Sequence, residues 1–243
     1  MITQAGADLS ALHVVVPARG PAGAKTRLGM ALDAEEREVL VVGMLAQTLE
    51  VLRTWPARPV VHLVSEDLPT LTLAQAVLPG VRPIMESAPT NLNDALLTAR
   101  QAASASGATA FLVLPADLPF LTHGALDSLV EAADAALAAG TGRAIVVIAP
   151  ADARGGTNAL LLSPPDIIEP QFGEASLEAH ARAAAIAEAS LQLVVDPALG
   201  FDLDTPDDLE RLDTQVVLEL MRRGEALLGR ATRIASAAPA EAG

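Results

Sequence analysis

A single lysine stands among the sixteen basic residues of this 243-residue chain. It is Lys25, in the run Val-Val-Val-Pro17-Ala-Arg19-Gly20-Pro-Ala-Gly23-Ala-Lys25-Thr26-Arg27-Leu28. A compact ammonium is not interchangeable with a planar guanidinium at a crowded site. Arg19, Lys25 and Arg27, among the backbone amides around Gly20 and Gly23, make a cradle suited to a triphosphate. The loop lacks both the Gly-Lys-Ser/Thr ending of a Walker loop and the Gly-x-Gly-x-x-Gly of a dinucleotide fold. The plain alternative is a solvated basic loop.

Carboxylates supply the next candidates. Asp117 lies in Pro115-Ala-Asp-Leu-Pro119, directly after the apolar run Phe111–Leu114, where it can hold a divalent cation or simply make a turn. Asp202 and Asp204 are two residues apart in Phe201-Asp-Leu-Asp-Thr-Pro206, so in extended chain they share a face. Asp204 precedes Thr-Pro and could serve only as a helix cap. Asp202 has no capping duty and is the stronger metal candidate. Magnesium is commonly held by one or two carboxylates together with substrate phosphates and water, so Asp117 with Asp202 would suffice.

A third group follows Arg154: Gly155-Gly-Thr157-Asn158, then Phe172-Gly173-Glu-Ala-Ser176 and His180. Ser176 opens an expected helix, whose amide donors and positive dipole end attract anions. Thr157, Gly173 and Ser176 could together hold a second phosphate-bearing substrate. The ordinary reading makes Gly-Gly a turn and Ser176 an N-cap. His180 falls one turn after Ser176 on the same face, either toward that pocket or in a structural role.

These residues need a scaffold that brings them together. Leu12–Val16, Pro59–Val64, Val81–Met85, Ala110–Leu114, Ala144–Ile148, Ala159–Leu162 and Leu191–Val195 read as strands. Helices are expected over 34–52 (Asp33 and Glu36 at capping-box spacing), 68–77, 93–105, 122–138, 176–188, and from Asp204 or Thr205 to about Leu228. Such alternation predicts an α/β three-layer sandwich around a mostly parallel sheet, with ligands beyond the carboxyl ends of its strands. No linker divides it. One domain over 11–228 is expected, between a flexible arm at 1–10 and a frayed, Ala/Gly/Ser-rich tail at 229–243.

Composition narrows the function. A net charge of −14 argues against nucleic acid and anionic membrane as partners. Without cysteine there is no disulfide, thiolate metal site or cysteine nucleophile. No apolar run reaches the ~18–20 residues of a membrane span, so a soluble, cytoplasmic protein is expected. Alanine- and leucine-rich helix faces leave both a single subunit and a homodimer open.

Taken in order, the Ala-Lys25-Thr-Arg27-Leu loop, Leu92-Asn93-Asp-Ala-Leu, Pro115-Ala-Asp117-Leu-Pro, Gly155-Gly-Thr157-Asn158, Phe172-Gly173-x-x-Ser176-x-x-x-His180 and Asp202-x-Asp204-Thr-Pro resemble one family. It is that of the phospholactate/phosphoenolpyruvate guanylyltransferases of deazaflavin (coenzyme F-420) biosynthesis. The resemblance implies a Rossmann-like nucleotidyltransferase fold and transfer of GMP from GTP to the phosphate of a three-carbon acid, with release of pyrophosphate. It implies Mg²⁺ at Asp117 and Asp202, with Asp204 as an alternative ligand, and triphosphate neutralisation by Lys25, Arg19 and Arg27. Leu92, Asn93 and Pro115 match the nucleotide-binding part, and Thr157, Gly173 and Ser176 the acceptor part. Phosphoenolpyruvate is favoured over 2-phospholactate and 3-phosphoglycerate. A molybdopterin-type nucleotidyltransferase and a non-catalytic phosphometabolite-binding protein are the competing readings.

Overall fold

Seven strands form one sheet in a computed structural model that describes residues 7–21, 23–86, 91–140, 144–152 and 155–237, the stretch 231–237 by backbone alone. They are β1 (Leu12–Pro17), β2 (Val60–Ser65), β3 (Arg82–Met85), β4 (Ala110–Val113), β5 (Ile145–Pro150), β6 (Thr157–Ser163) and β7 (Ser190–Leu193). Their spatial order is β3-β2-β1-β4-β6-β5-β7. All pairings are parallel except those of β6, which runs antiparallel to both β4 and β5.

The helices are α1 (Ala34–Thr54), α2 (Leu68–Val77), α3 (Leu92–Ala105), α4 (His123–Ala138), α5 (Ser176–Ile186), α6 (Pro197–Gly200), α7 (Pro206–Glu210) and α8 (Thr214–Ala237). The capping box at the start of α1 forms as its spacing requires: Asp33 accepts from the Glu36 amide and Glu36 from the Asp33 amide, both at 2.9 Å.

The two faces of the sheet divide the strand residues by parity. Val14, Val16, Leu63, Leu112, Leu114, Val147 and Leu161 pack with α1, α2 and α4 through Leu49, Leu71 and Leu126. Val15, Val64, Phe111, Val113, Ile148 and Leu160 pack with α3 and α5 through Leu96, Ala99 and Ala184. That alternation is the pleat expressed as two cores, and it makes the three layers.

Topology then fixes where a ligand can sit. The chain moves from β1 outward to β3 with α1 and α2 on one face, then crosses back to β4 with α3 on the other. Right-handed crossovers in opposite directions must use opposite faces, so a crevice opens between the carboxyl ends of β1 and β4. Lys25 follows β1 and Asp117 follows β4. Because β6 is antiparallel, its first residues, Thr157 and Asn158, emerge at this same end of the sheet.

The structure departs from expectation at several places, the short helix α6 among them. The helix read from Thr205 to Leu228 is broken between α7 and α8: Asp213 accepts from the Gln215 amide at 2.7 Å and starts a new helix. Helix α8 continues through Ala237 rather than fraying after Leu228, since alanine and arginine sustain a helix without apolar period. Residues 7–10 are tied to the sheet, with the Asp8 amide donating to Ser163 Oγ at 2.8 Å, so the expected arm does not extend over them. The arm's residues 1–6, the tail's 238–243 and Arg154 lie outside the described residues. Among the described residues, no helix is long and apolar enough to cross a membrane.

Candidate active site

The loop after β1 ends in a short 3-10 turn over Thr26–Met30, where the sequence offered a phosphate cradle or a solvated basic loop but no helix. Leu28 anchors it, fully buried in a small apolar cluster with Leu40, Met44, Phe201, Leu203 and Leu220. Lys25 precedes the turn with φ 49°, a left-handed conformation that costs a non-glycine residue about 1 kcal/mol or more. Its side chain is 13% exposed and crosses to the carboxylates.

Lys25 Nζ donates to Asp117 Oδ2 at 2.5 Å and also to Asp204 Oδ1. Burial alone would lower the pKa of this ammonium. The Asp117 and Asp204 charges, with their hydrogen bonds, outweigh it and hold the group above the ordinary lysine value. Lys25 is therefore a fixed positive charge at working pH.

Local structure explains why Asp204, rather than Asp202, meets Asp117. The Leu203 amide donates to the Asp117 carbonyl at 3.0 Å, which sets the two segments in register. Leu203 turns inward to the cluster that holds Leu28, so its neighbours turn outward. Thr205 is the cap of α7, and Asp208 Oδ2 accepts from the Asp204 amide, the Thr205 amide and the Thr205 hydroxyl at 3.1, 2.9 and 2.7 Å. Asp204 thus has no capping duty, and its carboxylate reaches Lys25. Asp202 instead lies with Oδ1 3.4 Å from Asn158 Nδ2, an amide that also donates to the carbonyls of Leu199 and Gly200. Lys25 therefore bridges Asp117 to Asp204, while Asp202 stands on the Asn158 side.

A cavity of about 530 Å³ opens over this ion pair. Arg19, Lys25, Arg27, Leu92, Pro115, Asp117 and Asp204 all line it. Seven residues proposed from sequence therefore meet in one crevice, although 179 positions separate Lys25 from Asp204. Arg19 and Arg27 are exposed at its rim.

Asn93 has a different place. Its Nδ2 donates to the Phe172 carbonyl at 3.0 Å and its Oδ1 accepts from the Phe172 amide at 2.8 Å. With both ends of its amide committed to that backbone, Asn93 does not line the cavity; Leu92 and Phe172 do. Its hydrogen bonds hold the start of α3 to the Phe172 backbone, beside the cavity wall that Leu92 and Phe172 form.

Thr157, Gly173 and Ser176 gather beside the cavity rather than in it. Gly173 has φ 135°, open to glycine and strained for other residues. The Leu177 amide donates to the Gly155 carbonyl at 3.1 Å, which brings α5 to the loop before Thr157. A Cβ placed on Gly156 would lie 3.9 Å from Ser176 Oγ, so the two segments are in contact there. Thr157 Oγ1 is 3.0 Å from His180 Nδ1, and both residues are buried. The sequence placed His180 on the Ser176 face but could not tell what it touches.

Residues 12–216 match the family model described as guanylyl transferase CofC like. The phosphoenolpyruvate guanylyltransferase of Rubrobacter xylanophilus is 38% identical over 202 residues, 83% of this chain and 93% of that protein. The 3-phospho-D-glycerate guanylyltransferase of Colwellia psychrerythraea is 30% identical over 200 residues, 82% and 90% of the two chains. In fold, a Desulfovibrio desulfuricans protein assigned as a nucleotide-diphospho-sugar transferase superimposes with a TM-score of 0.68 at 17% identity, over 90% of this chain and 97% of that one. With a family match that spans every strand and the Lys25 site, this chain belongs to the CofC-like guanylyl transferases.

Proposed function

We propose that this protein moves the guanylyl group of GTP onto the phosphate of a three-carbon phospho-acid, phosphoenolpyruvate before 3-phosphoglycerate or 2-phospholactate, in the cytoplasmic synthesis of a deazaflavin coenzyme. The observation that carries this reading is Lys25, seated between Asp117 and Asp204 at the mouth of the β1/β4 crevice. Relatives named for phosphoenolpyruvate reach 38% identity and those named for 3-phosphoglycerate 33%, which favours the former acceptor.

The chemistry asks little covalent work of the protein. An oxygen of the acceptor phosphate attacks the α-phosphorus of GTP and forms the new P–O bond. The bond from that phosphorus to the oxygen bridging to the β-phosphate breaks, and pyrophosphate leaves with the electron pair. A phosphate dianion needs no general base, so alignment and charge neutralisation suffice. Lys25, Arg19 and Arg27 supply positive charge to the triphosphate and to the departing pyrophosphate.

The residues fit a magnesium ion. Two carboxylates, Asp117 and Asp204, already converge on one cationic point, and magnesium takes its other ligands from phosphate and water. When bound, it would polarise the α-phosphate as a Lewis acid and serve as a template. Leu92, Pro115 and Phe172 form the cavity wall against which the base would lie. Thr157, Gly173 and Ser176 would hold the acceptor.

Pyrophosphate release from GTP with each of the three acids, in Mg²⁺ and beside ATP and CTP controls, tests the proposal. Turnover is expected with GTP and greatest with phosphoenolpyruvate. Turnover with CTP or with molybdopterin alone would redirect the reading, and none with any pair would make the protein a binding protein.

A further inference from the structure

His180 is fully buried, and both of its ring nitrogens are accounted for. The Gln171 backbone amide donates to Nε2 at 2.8 Å. An amide N–H can only donate, so Nε2 must present its lone pair. The neutral ring then carries its proton on Nδ1, 3.0 Å from Thr157 Oγ1. Burial lowers the imidazole pKa to about 4, which keeps the ring neutral at working pH. The edge of the Phe172 ring, 5.1 Å away between centroids and inclined at 70°, closes the remaining side.

This fixes more than the histidine. If Nδ1–H donates, Thr157 Oγ1 accepts, and the threonine's own proton must point elsewhere. Thr157 is 6% exposed, and no acceptor for that proton exists among the described residues. Ser176 is 1% exposed, and its Oγ lies on the same side, 3.9 Å from where a Cβ on Gly156, the residue before Thr157, would stand. A hydroxyl whose proton is directed away from the ring, beside a second hydroxyl at a helix start, is suited to donate to an anion.

We propose that His180 is a positioning residue which, through its Nδ1–H, holds the Thr157 hydroxyl as an outward donor to the anionic group of the acceptor. The inference rests on the acceptor assignment made above and adds a residue and a tautomer to it. His180 also ties the loop carrying Phe172 and Gly173 to β6 through Gln171, so a single ring sets both the hydroxyl and the backbone of the pocket.

The test uses the full-length protein, with GTP and Mg²⁺ and with phosphoenolpyruvate as the probe acceptor. His180→Leu is expected to raise the KM for phosphoenolpyruvate at least tenfold, leaving the KM for GTP and kcat within about threefold. His180→Gln carries a donor and an acceptor at the same separation as the two ring nitrogens, and should stay within about threefold of the parent throughout. Thr157→Val should reproduce the Leu phenotype, and the double variant should be no worse than either single one. An unchanged acceptor KM in His180→Leu, an equal rise in the KM for GTP, or additive effects in the double variant would overturn the proposal. Should His180→Leu fail to fold, His180→Met, which also lacks a ring donor, takes its place in the cycle with the same expectations. The ¹⁵N and ¹H NMR signals of the ring decide independently of turnover: a neutral Nδ1–H form at pH 7 is expected, and an Nε2–H form or an imidazolium overturns the inference. If the parent protein turns over none of the three acids, the functional reading fails, while the NMR result still decides the tautomer.

Discussion

The Leu203 amide donates to the carbonyl of Asp117 at 3.0 Å, and through that bond the two carboxylates of the site come to face one ammonium. Leu203 fills the cluster that also seats Leu28, three residues beyond Lys25. One patch of apolar packing therefore holds both ends of the Lys25–Asp204 pair. The electrostatics of the crevice depend on the hydrophobic burial of Leu28 and Leu203.

Lys25→Ala should leave the fold intact and lower kcat by about 10²–10³, corresponding to roughly 3–4 kcal/mol of lost charge stabilisation. Lys25→Arg should recover little of it, because a planar guanidinium cannot seat between both carboxylates as a point charge does. Steady-state pyrophosphate release measures both. Turnover close to the parent in Lys25→Ala would remove Lys25 from the mechanism.

Asp204→Asn and Asp202→Asn should separate. The first removes a carboxylate that meets Asp117 across Lys25 and should weaken Mn²⁺ binding, followed by electron paramagnetic resonance, by about tenfold or more. The second alters a group on the Asn158 side and should weaken it much less. The reverse order would restore Asp202 as the partner of Asp117.

Helices α1 and α8 touch at glycines. A Cβ on Gly43 would lie 2.0 Å from the Leu220 carbonyl oxygen, and one on Gly224 the same distance from that of Val39. Backbone cannot rotate aside as a side chain can, so Gly43→Ala should cost about 2–3 kcal/mol in urea unfolding. Turnover should fall too, since Leu220 belongs to the cluster under Lys25. Unfolding at the parent's urea concentration would show that the helices part without penalty.

Stability should fall in acid through buried histidines. Burial lowers His180 to about 4, and burial with the nearby His13 and Arg82 charges lowers His62 to about 4. His13 Nδ1 lies 3.0 Å from His62 Nε2, leaving no room for two imidazolium charges. The folded pKa values are below the unfolded ones, so the unfolded chain binds protons first as pH drops. Stability is full above about pH 6.5, declines toward pH 4 and levels off below, by up to about 3 kcal/mol per histidine. Urea midpoints across that range should follow this curve, and His62→Gln should flatten it. A parent protein with the same midpoint at pH 4.5 and pH 7 would contradict the burial of neutral rings.

Much was legible in the sequence because it is local. Apolar runs of strand length, capping boxes and glycine-rich breaks depend on near neighbours, so the seven strands and the site at their carboxyl ends could be read directly. Spacing alone also placed Lys25 and Asp117 in the loops just beyond the carboxyl ends of two strands. What spacing could not supply was which of two carboxylates, both on the same face of an extended segment, would reach the lysine. That depended on a backbone hydrogen bond to Asp117, on Asp208 holding the Asp204–Thr205 turn, and on Leu203 finding its cluster. Likewise Asn93 and His180 were visible as motif residues, but their partners, Phe172 and Thr157, lie 79 and 23 positions away in the chain. The sequence by itself determined the strands, the lysine and the chemistry of its neighbours, because those follow from local pattern and residue type. The tertiary structure alone decided which side chains touch, because long-range packing and hydrogen bonding select among groups the sequence leaves equivalent.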